Sequence, residues 1–225
     1  MGSSPSFLDP VVIPLIRGSS VLDVGCGWGR WGCLLRTNFF EWGLEQFPVV
    51  DGIDGDAACI ELCRSLGVYR SLRQEILPCT LPVDAYDTVL ASEIVEHFTH
   101  DEVPVFLQEC ERAARQRVIV TTPNFECIRG GSDGPLGFNK LDHHQAFVTQ
   151  AFLRSKGYTI VGAGFSARDR IIAKIIAKVL QIARVSDWWI VNGLGYTFPS
   201  MACVTVAYKD LSPGARKDVL HRGWR

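Results

Sequence analysis

This sequence lacks an excess of either positive or negative charge. Its 225 residues include 23 Lys and Arg against 24 Asp and Glu, which gives a formal net charge of -1. Broad binding to a nucleic-acid backbone needs a concentrated basic surface, so this balance argues against nucleic acid as a partner. Hydrophobic residues nevertheless make up 47% of the chain, which predicts one domain with a sizeable core.

The eight cysteines lack any C-x-x-C pair or regular spacing. This absence argues against a zinc site built from thiolates. Cysteines inside apolar stretches, such as Cys33 and Cys203, are instead typical of small buried side chains in a reducing compartment. The first residues also lack the basic start and apolar run of a secretory signal, so we expect a cytoplasmic protein.

Long uninterrupted apolar runs are missing as well. Residues 188–208 contain no charged side chain, but Asn192, Gly193, Gly195 and Pro199 interrupt them. A spanning helix needs about 20 predominantly apolar residues with fewer such breaks. We therefore do not predict a membrane span in this stretch.

Short β-branched runs alternate with helical stretches along the chain, which is typical of a parallel sheet covered by helices. The predicted strands are 21–24, 49–53, 69–72, 87–91, 118–121, 159–162 and 202–208. Residues 101–115 have helical spacing between two of these strands. We therefore predict an α/β fold with a doubly wound, mostly parallel seven-stranded sheet and helices on both faces.

The last two predicted strands are separated by about 35 residues, far more than a hairpin needs. Within this stretch, residues 168–185 read RDRIIAKIIAKVLQIARV, a helix that is apolar around most of its circumference. We predict a helical lid at residues 166–200 of a single domain (1–210), followed by a polar, flexible tail (211–225). Three roles of the helix remain open: a cap on its own domain, a peripheral membrane contact through residues 168–190, or a homodimer contact.

The strongest motif is VLDVGCGWGRWG at residues 21–32, where a predicted strand runs into Gly25, Gly27 and Gly29. Glycine permits positive φ in a tight turn and lets a ligand approach the backbone closely. Enzymes that bind nicotinamide dinucleotides would be expected to have a further glycine at position 30, where this chain has Arg30. The motif therefore indicates a ligand-binding turn of a different kind.

On this motif the sequence resembles the class I S-adenosylmethionine-dependent methyltransferase family, over approximately residues 20–165. The resemblance implies that Asp23 organises the methionine end and that Asp54 holds both ribose hydroxyls, with Asp56 as the alternative. Either of the latter two could instead cap the following helix. Glu75 would face the adenine amino group. The cofactor-binding residues implied by the resemblance are Asp23, Gly25, Cys26, Gly27, Gly29, Asp54, Gly55, Glu75, Ile76 and Ser92.

The segment YDTVLASEIVEHF at residues 86–98 resembles the family's fourth strand and the turn that follows it. On a helix, Glu93, Glu96 and His97 would lie at i, i+3 and i+4 on one face. The E-x-x-E-H pattern is similar to that of ubiquinone-pathway O-methyltransferases and small-RNA 3′-end 2′-O-methyltransferases. The latter supply a further histidine from a D-H-x(4)-T segment, and His144 precedes Thr149 at the matching spacing.

Three interpretations of these residues are open. Glu93, Glu96, His97 and His144 could bind a divalent cation such as Mg, Mn or Zn. Alternatively, His97 and His144, together with Glu93, could serve acid–base catalysis without a metal, because imidazole titrates near neutrality. In the third interpretation, the glutamates only complement a helix N-terminus.

The resemblance therefore implies a methyltransferase that uses S-adenosylmethionine to methylate an oxygen of a small or apolar, lipid-like acceptor. Positioning of the acceptor and removal of its proton would be the protein's contribution. Two alternatives come from other classes: a metal-dependent RNA 3′-end 2′-O-methyltransferase, and a non-catalytic scaffold that binds the cofactor or a membrane.

Overall fold

The computed structural model describes residues 4–41, 48–165, 175, 178–179 and 193–211. The strands in these residues are β1 (Ser20–Val24), β2 (Val49–Asp54), β3 (Ser71–Gln74), β4 (Tyr86–Ser92), β5 (Ala114–Pro123), β6 (Ser132–Gly134), β7 (Gly137–Asn139), β8 (Thr159–Ala163) and β9 (Val204–Asp210). The α-helices with described bounds are α1 (Asp9–Val12), α2 (Arg30–Glu41), α3 (Ala57–Leu66), α4 (Glu102–Ala113) and α5 (Gln150–Ser155).

Seven of the described strands form one sheet in the order β3-β2-β1-β4-β5-β9-β8. Only β9 in this sheet runs against its neighbours, pairing antiparallel with both β5 and β8. The chain moves outward from β1 in one direction to β3 and in the other through β4, so the strand order reverses at β1. Such a reversal leaves a crevice at the carboxyl ends of the strands. The predicted seven-stranded, mostly parallel sheet is confirmed.

Helices cover both faces of the sheet, as the fully buried strand β4 illustrates. Its residue Val89 belongs to the core cluster that contains Phe106 of α4. The next residue, Leu90, belongs to the opposite cluster, with Trp31 of α2. Because successive side chains of a strand point to opposite faces, both faces of β4 need an apolar partner layer. The doubly wound arrangement follows.

Several boundaries differ from the predictions. The strand predicted at 69–72 is found at Ser71–Gln74, because the backbone of Ser71 pairs with Asp51 of β2. The strand predicted at 202–208 is found at Val204–Asp210. The short antiparallel pair β6–β7 was not predicted. Its segments SDG and GFN lack the β-branched alternation on which the strand predictions depended.

The predicted lid and tail lie mostly outside the described residues. Between residues 165 and 193, only Ile175, Lys178 and Val179 are described; they are helical and exposed. No helix in the described part of the chain is both long and apolar enough to cross a membrane.

Candidate functional site

The glycine turn after β1 has the backbone conformation that its sequence predicts. Gly25 has φ +73° and Gly27 has φ +50°, values that favour glycine. The N–H groups of Gly25 and Cys26 both donate to the carbonyl of Ile53, at 2.8 and 3.0 Å. A Cβ on Gly25 would lie 2.8 Å from the side chain of Ile94. The turn is therefore held against β2, and the missing Cβ at Gly25 leaves room for the Ile94 side chain.

The carboxylate of Asp54, at the end of β2, organises this turn. It accepts hydrogen bonds at 2.8 Å from the backbone N–H of Gly27 and from that of Asp56. Burial raises the pKa of Asp54. Asp56 instead caps α3, because its side chain accepts a hydrogen bond from the N–H of Ala58 at 2.8 Å. The two aspartates thus have different roles, and Asp54 is the one that faces the crevice.

Two adjoining cavities open beside the carboxyl ends of β1, β2 and β4. Their shared lining consists of Gly25, Asp54, Ile94, His97 and Leu141. The first cavity also borders Cys26, Gly27, Ser92 and Glu93. The second also borders Gly55, Ile76, Leu77 and Phe98. Asp54 therefore borders both cavities.

Three residues predicted to bind the cofactor do not line either of these two cavities. The Asp23 side chain is fully buried and accepts a hydrogen bond from the Tyr69 hydroxyl at 2.7 Å. Gly29 packs against Cys63 of α3. Glu75 forms an ion pair with Arg73. Seven of the ten predicted residues therefore lie on the cavity walls.

Asp23 has an unusual electrostatic environment. Its Oδ1 atom is buried and has no hydrogen-bond partner among the described residues. Burial raises the pKa of Asp23 to about 7, although the hydrogen bond from Tyr69 opposes this effect. The neighbouring Tyr69 hydroxyl also accepts a hydrogen bond from the N–H of Gly32, so it joins β1 to α2. Tyr69 was not predicted from the sequence, because an isolated tyrosine is not part of a recognisable motif.

The prediction that a helix places Glu93, Glu96 and His97 on one face is wrong. Glu93 has φ +54°, and the chain continues as a single 3-10 turn at Val95–His97. The Thr121 hydroxyl donates to Glu93 Oε1 at 2.9 Å, while the N–H of Glu93 donates to the Thr121 carbonyl at 3.0 Å. These bonds to β5 hold Glu93 away from the turn. Burial raises the pKa of Glu93 to about 7.

The remaining residues of the predicted set do come together. Potential ligand atoms of Glu96, His97 and His144 lie within 4.8 Å of one another, and Glu93 is not part of this group. Glu96 is 3% exposed, and its Oε2 atom has no partner among the described residues. Burial, together with the charge of Glu93, holds the pKa of Glu96 well above its usual range. The two imidazole rings meet edge to face, with centroids 4.8 Å apart.

Arg129 and Asp142 complete this cluster, and neither was predicted. The Arg129 guanidinium lies 3.1 and 3.3 Å from the carboxylate oxygens of Asp142 and 2.9 Å from His144 Nε2. Arginine can only donate, so His144 Nε2 accepts and the ring proton resides on Nδ1. Burial, with the nearby His97 and Arg129, lowers the pKa of His144 to about 4. In this arrangement His144 offers no lone pair to a cation, so the residues do not fit a metal that His144 would help to hold.

His97 is the member of the cluster that lines both cavities. Its Nδ1 atom lies 3.3 Å from the His143 carbonyl, which can only accept, so a proton resides on Nδ1. Its Nε2 atom lies 3.6 Å from Asp142 Oδ1. Burial lowers the pKa of His97, although Asp142 opposes this effect. Neutral His97 therefore has its lone pair on Nε2, beside a carboxylate that would stabilise the protonated ring.

The strand order, the glycine turn after β1 and the carboxylate after β2 together define the fold of class I S-adenosylmethionine-dependent methyltransferases. Residues 21–117 match the family model described as a methyltransferase domain. The segment contains the glycine turn, Asp54 and the E-x-x-E-H residues. It ends before Arg129, Asp142 and His144.

Comparisons with individual proteins agree with this match. A stretch of 117 residues is 28% identical to a sphingolipid C9-methyltransferase of Candida albicans, covering 45% of this chain and 20% of that protein. The chain thus spans about a fifth of the length of this curated relative. The crystal structure of a methyltransferase from Archaeoglobus fulgidus has a TM-score of 0.54 and 15% identity over 91% of each chain.

A second solved structure contains the cofactor itself. Magnesium protoporphyrin IX methyltransferase from Synechocystis PCC 6803, with bound S-adenosylmethionine, has a TM-score of 0.50 and 15% identity. The similarity covers 92% of this chain and 76% of that one. At such identities, the two structural comparisons establish the fold.

Proposed function

We propose that this protein uses S-adenosylmethionine to methylate an oxygen of a small or apolar, lipid-like acceptor. The observation that carries the proposal is the position of Asp54, which borders both cavities at the carboxyl end of β2. A carboxylate is a suitable acceptor for two vicinal ribose hydroxyls. With the ribose at Asp54, the two ends of the cofactor would extend into different cavities.

The lining of each cavity supports this orientation. The first has the bare glycine turn and Ser92, which suit the polar methionine end. The second has Gly55, Ile76 and Leu77, whose apolar atoms suit an adenine ring. Asp23 remains a proposed contact of the cofactor, acting through the backbone of the glycine turn. Glu75 remains one as well, once its ion pair with Arg73 is broken.

His97 is the proposed general base. When bound, S-adenosylmethionine supplies an electrophilic methyl group on a sulfonium sulfur. His97 Nε2 would accept the proton of the acceptor hydroxyl as its oxygen bonds to the methyl group. Asp142, 3.6 Å from this nitrogen, would stabilise the resulting imidazolium. Glu93 and His144 would position the neighbouring side chains, since the first is bonded to Thr121 and the second to Arg129.

Exposed apolar side chains in the segments that follow β5 and precede β9 support an apolar acceptor. Phe125, Ile128 and Phe138 follow β5 and are 47%, 55% and 66% exposed. Phe198, 52% exposed, belongs to the segment that precedes β9. The two segments are joined because the Asn124 amide donates to the carbonyls of Pro199 and Ala202, at 3.1 and 2.9 Å. The name of the relative, a sphingolipid C9-methyltransferase, agrees with a lipid-like acceptor. A peripheral membrane contact through residues 168–190 remains part of the proposal.

The test is transfer of a labelled methyl group from S-adenosylmethionine to lipid extract, to small phenols and to RNA oligonucleotides. We expect product in the lipid or phenol samples, with the label on oxygen. Label on carbon would contradict the proposed base, and product only with RNA would favour the RNA alternative. Binding of the cofactor without transfer to any acceptor would support the scaffold alternative.

The apolar surface can be tested separately by co-sedimentation with liposomes. We expect Phe125→Ser and Phe138→Ser to reduce the bound fraction several-fold, because each removes apolar area that would be buried in the lipid. Val83→Ser and Val105→Ser are matched controls, since these side chains are 60% and 52% exposed and lie outside these segments. Equal losses in all four variants would contradict a specific lipid-facing surface.

A further inference from the structure

Two carboxyl groups are buried in the cluster around His97. Glu96 is 3% exposed and Asp142 is 8% exposed. Burying an ionised carboxylate is costly unless a cation or several hydrogen bonds compensate for the lost solvation. His144 is neutral in this arrangement, so it supplies no positive charge. Among the described residues of the cluster, Arg129 is the permanent cation.

The guanidinium of Arg129 is fixed where it meets these groups. Both carboxylate oxygens of Asp142 lie within 3.3 Å of the guanidinium, and His144 Nε2 lies 2.9 Å from it. Its backbone is held as well, because Arg129 and His144 form an isolated antiparallel bridge. Within this bridge, the N–H of His144 donates to the Arg129 carbonyl at 2.9 Å. Side chain and main chain therefore hold the positive charge in one place.

Arg129 also occupies the His144 nitrogen that would otherwise be able to bind a metal. A divalent cation is bound by unprotonated imidazole nitrogens and by carboxylates. Arg129 engages Nε2 of His144, and the ring proton then blocks Nδ1. A second cation beside the guanidinium would in addition be repelled, because a unit charge at about 4 Å acts strongly in a half-buried site.

We propose that Arg129 takes the place of a divalent cation in the Glu96–His97–His144 cluster, so that this site works without a bound metal. The inference that catalysis needs no metal rests on the proposed methyl transfer. The inference that the cluster excludes a metal is independent of it, and it can be measured with the isolated protein in the absence of cofactor and acceptor.

The experiment is a titration with Mn²⁺, in which electron paramagnetic resonance measures the free ion. Carboxylates and imidazoles bind Mn²⁺, whereas thiolates prefer softer cations, so the eight cysteines interfere little. We expect the wild-type protein to show no binding above that of a chelator-treated blank. Arg129→Ala should bind Mn²⁺ at least ~100-fold more tightly, because it frees His144 and removes a repelling charge.

Two further variants make the result specific. Adding His144→Ala to Arg129→Ala should abolish the gained binding. Arg73→Ala removes an arginine that is paired with Glu75 outside the cluster, and it should leave Mn²⁺ binding at the wild-type level.

Two outcomes would overturn the proposal. One is stoichiometric Mn²⁺ binding by the wild-type protein that Glu96→Gln or His144→Ala abolishes. The other is an Arg129→Ala protein that keeps the wild-type circular dichroism spectrum and gains no affinity. Neither outcome depends on methyl transfer. A failure to transfer methyl groups would instead contradict the proposed function alone.

Discussion

The two sides of the site are built from different parts of the chain. The turn side uses consecutive backbone groups from Gly25 to Gly27, with one carboxylate from the end of the adjacent strand. The His97 side joins side chains from distant segments, including Glu96, Arg129 and Asp142. A backbone-built surface depends on local conformation, whereas a side-chain cluster depends on tertiary packing and on balanced charge. Substitutions should therefore affect binding on one side and turnover on the other.

The largest expected effect concerns the His97 side. His97→Gln should lower kcat by roughly 10²–10³, because a positioned general base contributes about that much. The affinity for S-adenosylmethionine, measured by calorimetry, should change little. His100→Gln is the matched control, because His100 is exposed just beyond the 3-10 turn. If His97→Gln lost cofactor affinity as strongly as turnover, the division between the two sides would fail.

The next largest effect concerns the glycine turn. Gly25→Ala should weaken S-adenosylmethionine binding about 100-fold, because the residue has φ +73° and its new Cβ would meet Ile94 at 2.8 Å. Gly67→Ala is the control for backbone strain alone. Gly67 has φ +63° but no atom within 4 Å of an added Cβ. In the Gly67→Ala variant the free energy of unfolding should fall by about 1 kcal/mol, with no change in the affinity for S-adenosylmethionine.

A smaller effect separates the two aspartates after β2. Asp54→Asn should weaken cofactor binding roughly 10- to 30-fold, because it removes a charged hydrogen-bond acceptor. Asp56→Ala should instead lower the free energy of unfolding by about 1 kcal/mol, as expected for loss of a helix cap, and leave the affinity unchanged. Calorimetry and chemical denaturation distinguish these outcomes. The reverse pattern would assign the ribose to Asp56.

A separate effect, on stability and not on binding, is the pH dependence that Asp23 confers. Burial raises the pKa of Asp23 to about 7 in the folded protein, against 3.8 for the ordinary side chain. Between these values only the unfolded chain ionises, so this group's contribution to stability is complete below about pH 4 and is lost as the pH rises towards 7. Relative to Asp23→Asn, the wild-type protein should lose up to about 4 kcal/mol across this range, because each unit of pKa difference corresponds to about 1.4 kcal/mol.

Denaturation curves at several pH values measure this loss. Tyr69→Phe should raise the pKa of Asp23 further, because it removes the hydrogen bond that favours the ionised carboxylate. Parallel curves for wild type and Asp23→Asn would contradict an ionisable buried group at β1.

Much of the fold could be predicted because strand and helix periodicity is local. The turn at Gly25 was predicted for the same reason, since glycines at alternate positions after a strand indicate a tight turn with positive φ. The pair β6–β7 was missed because its residues carry no alternation. The helix at Glu93 was predicted wrongly because its spacing is helical, although hydrogen bonds to Thr121 impose a different backbone.

Local sequence was enough to specify the ordered strands, the bare turn and the carboxylate at Asp54, because each depends on residues close together along the chain. Only the folded chain brings Arg129 and Asp142 to His97 and His144, and it alone leaves Glu93 outside the group of Glu96, His97 and His144. The reason is electrostatic as well as geometric. Whether a buried acid needs a metal or an arginine depends on which charges the packing leaves beside it, and spacing along the chain does not contain that information.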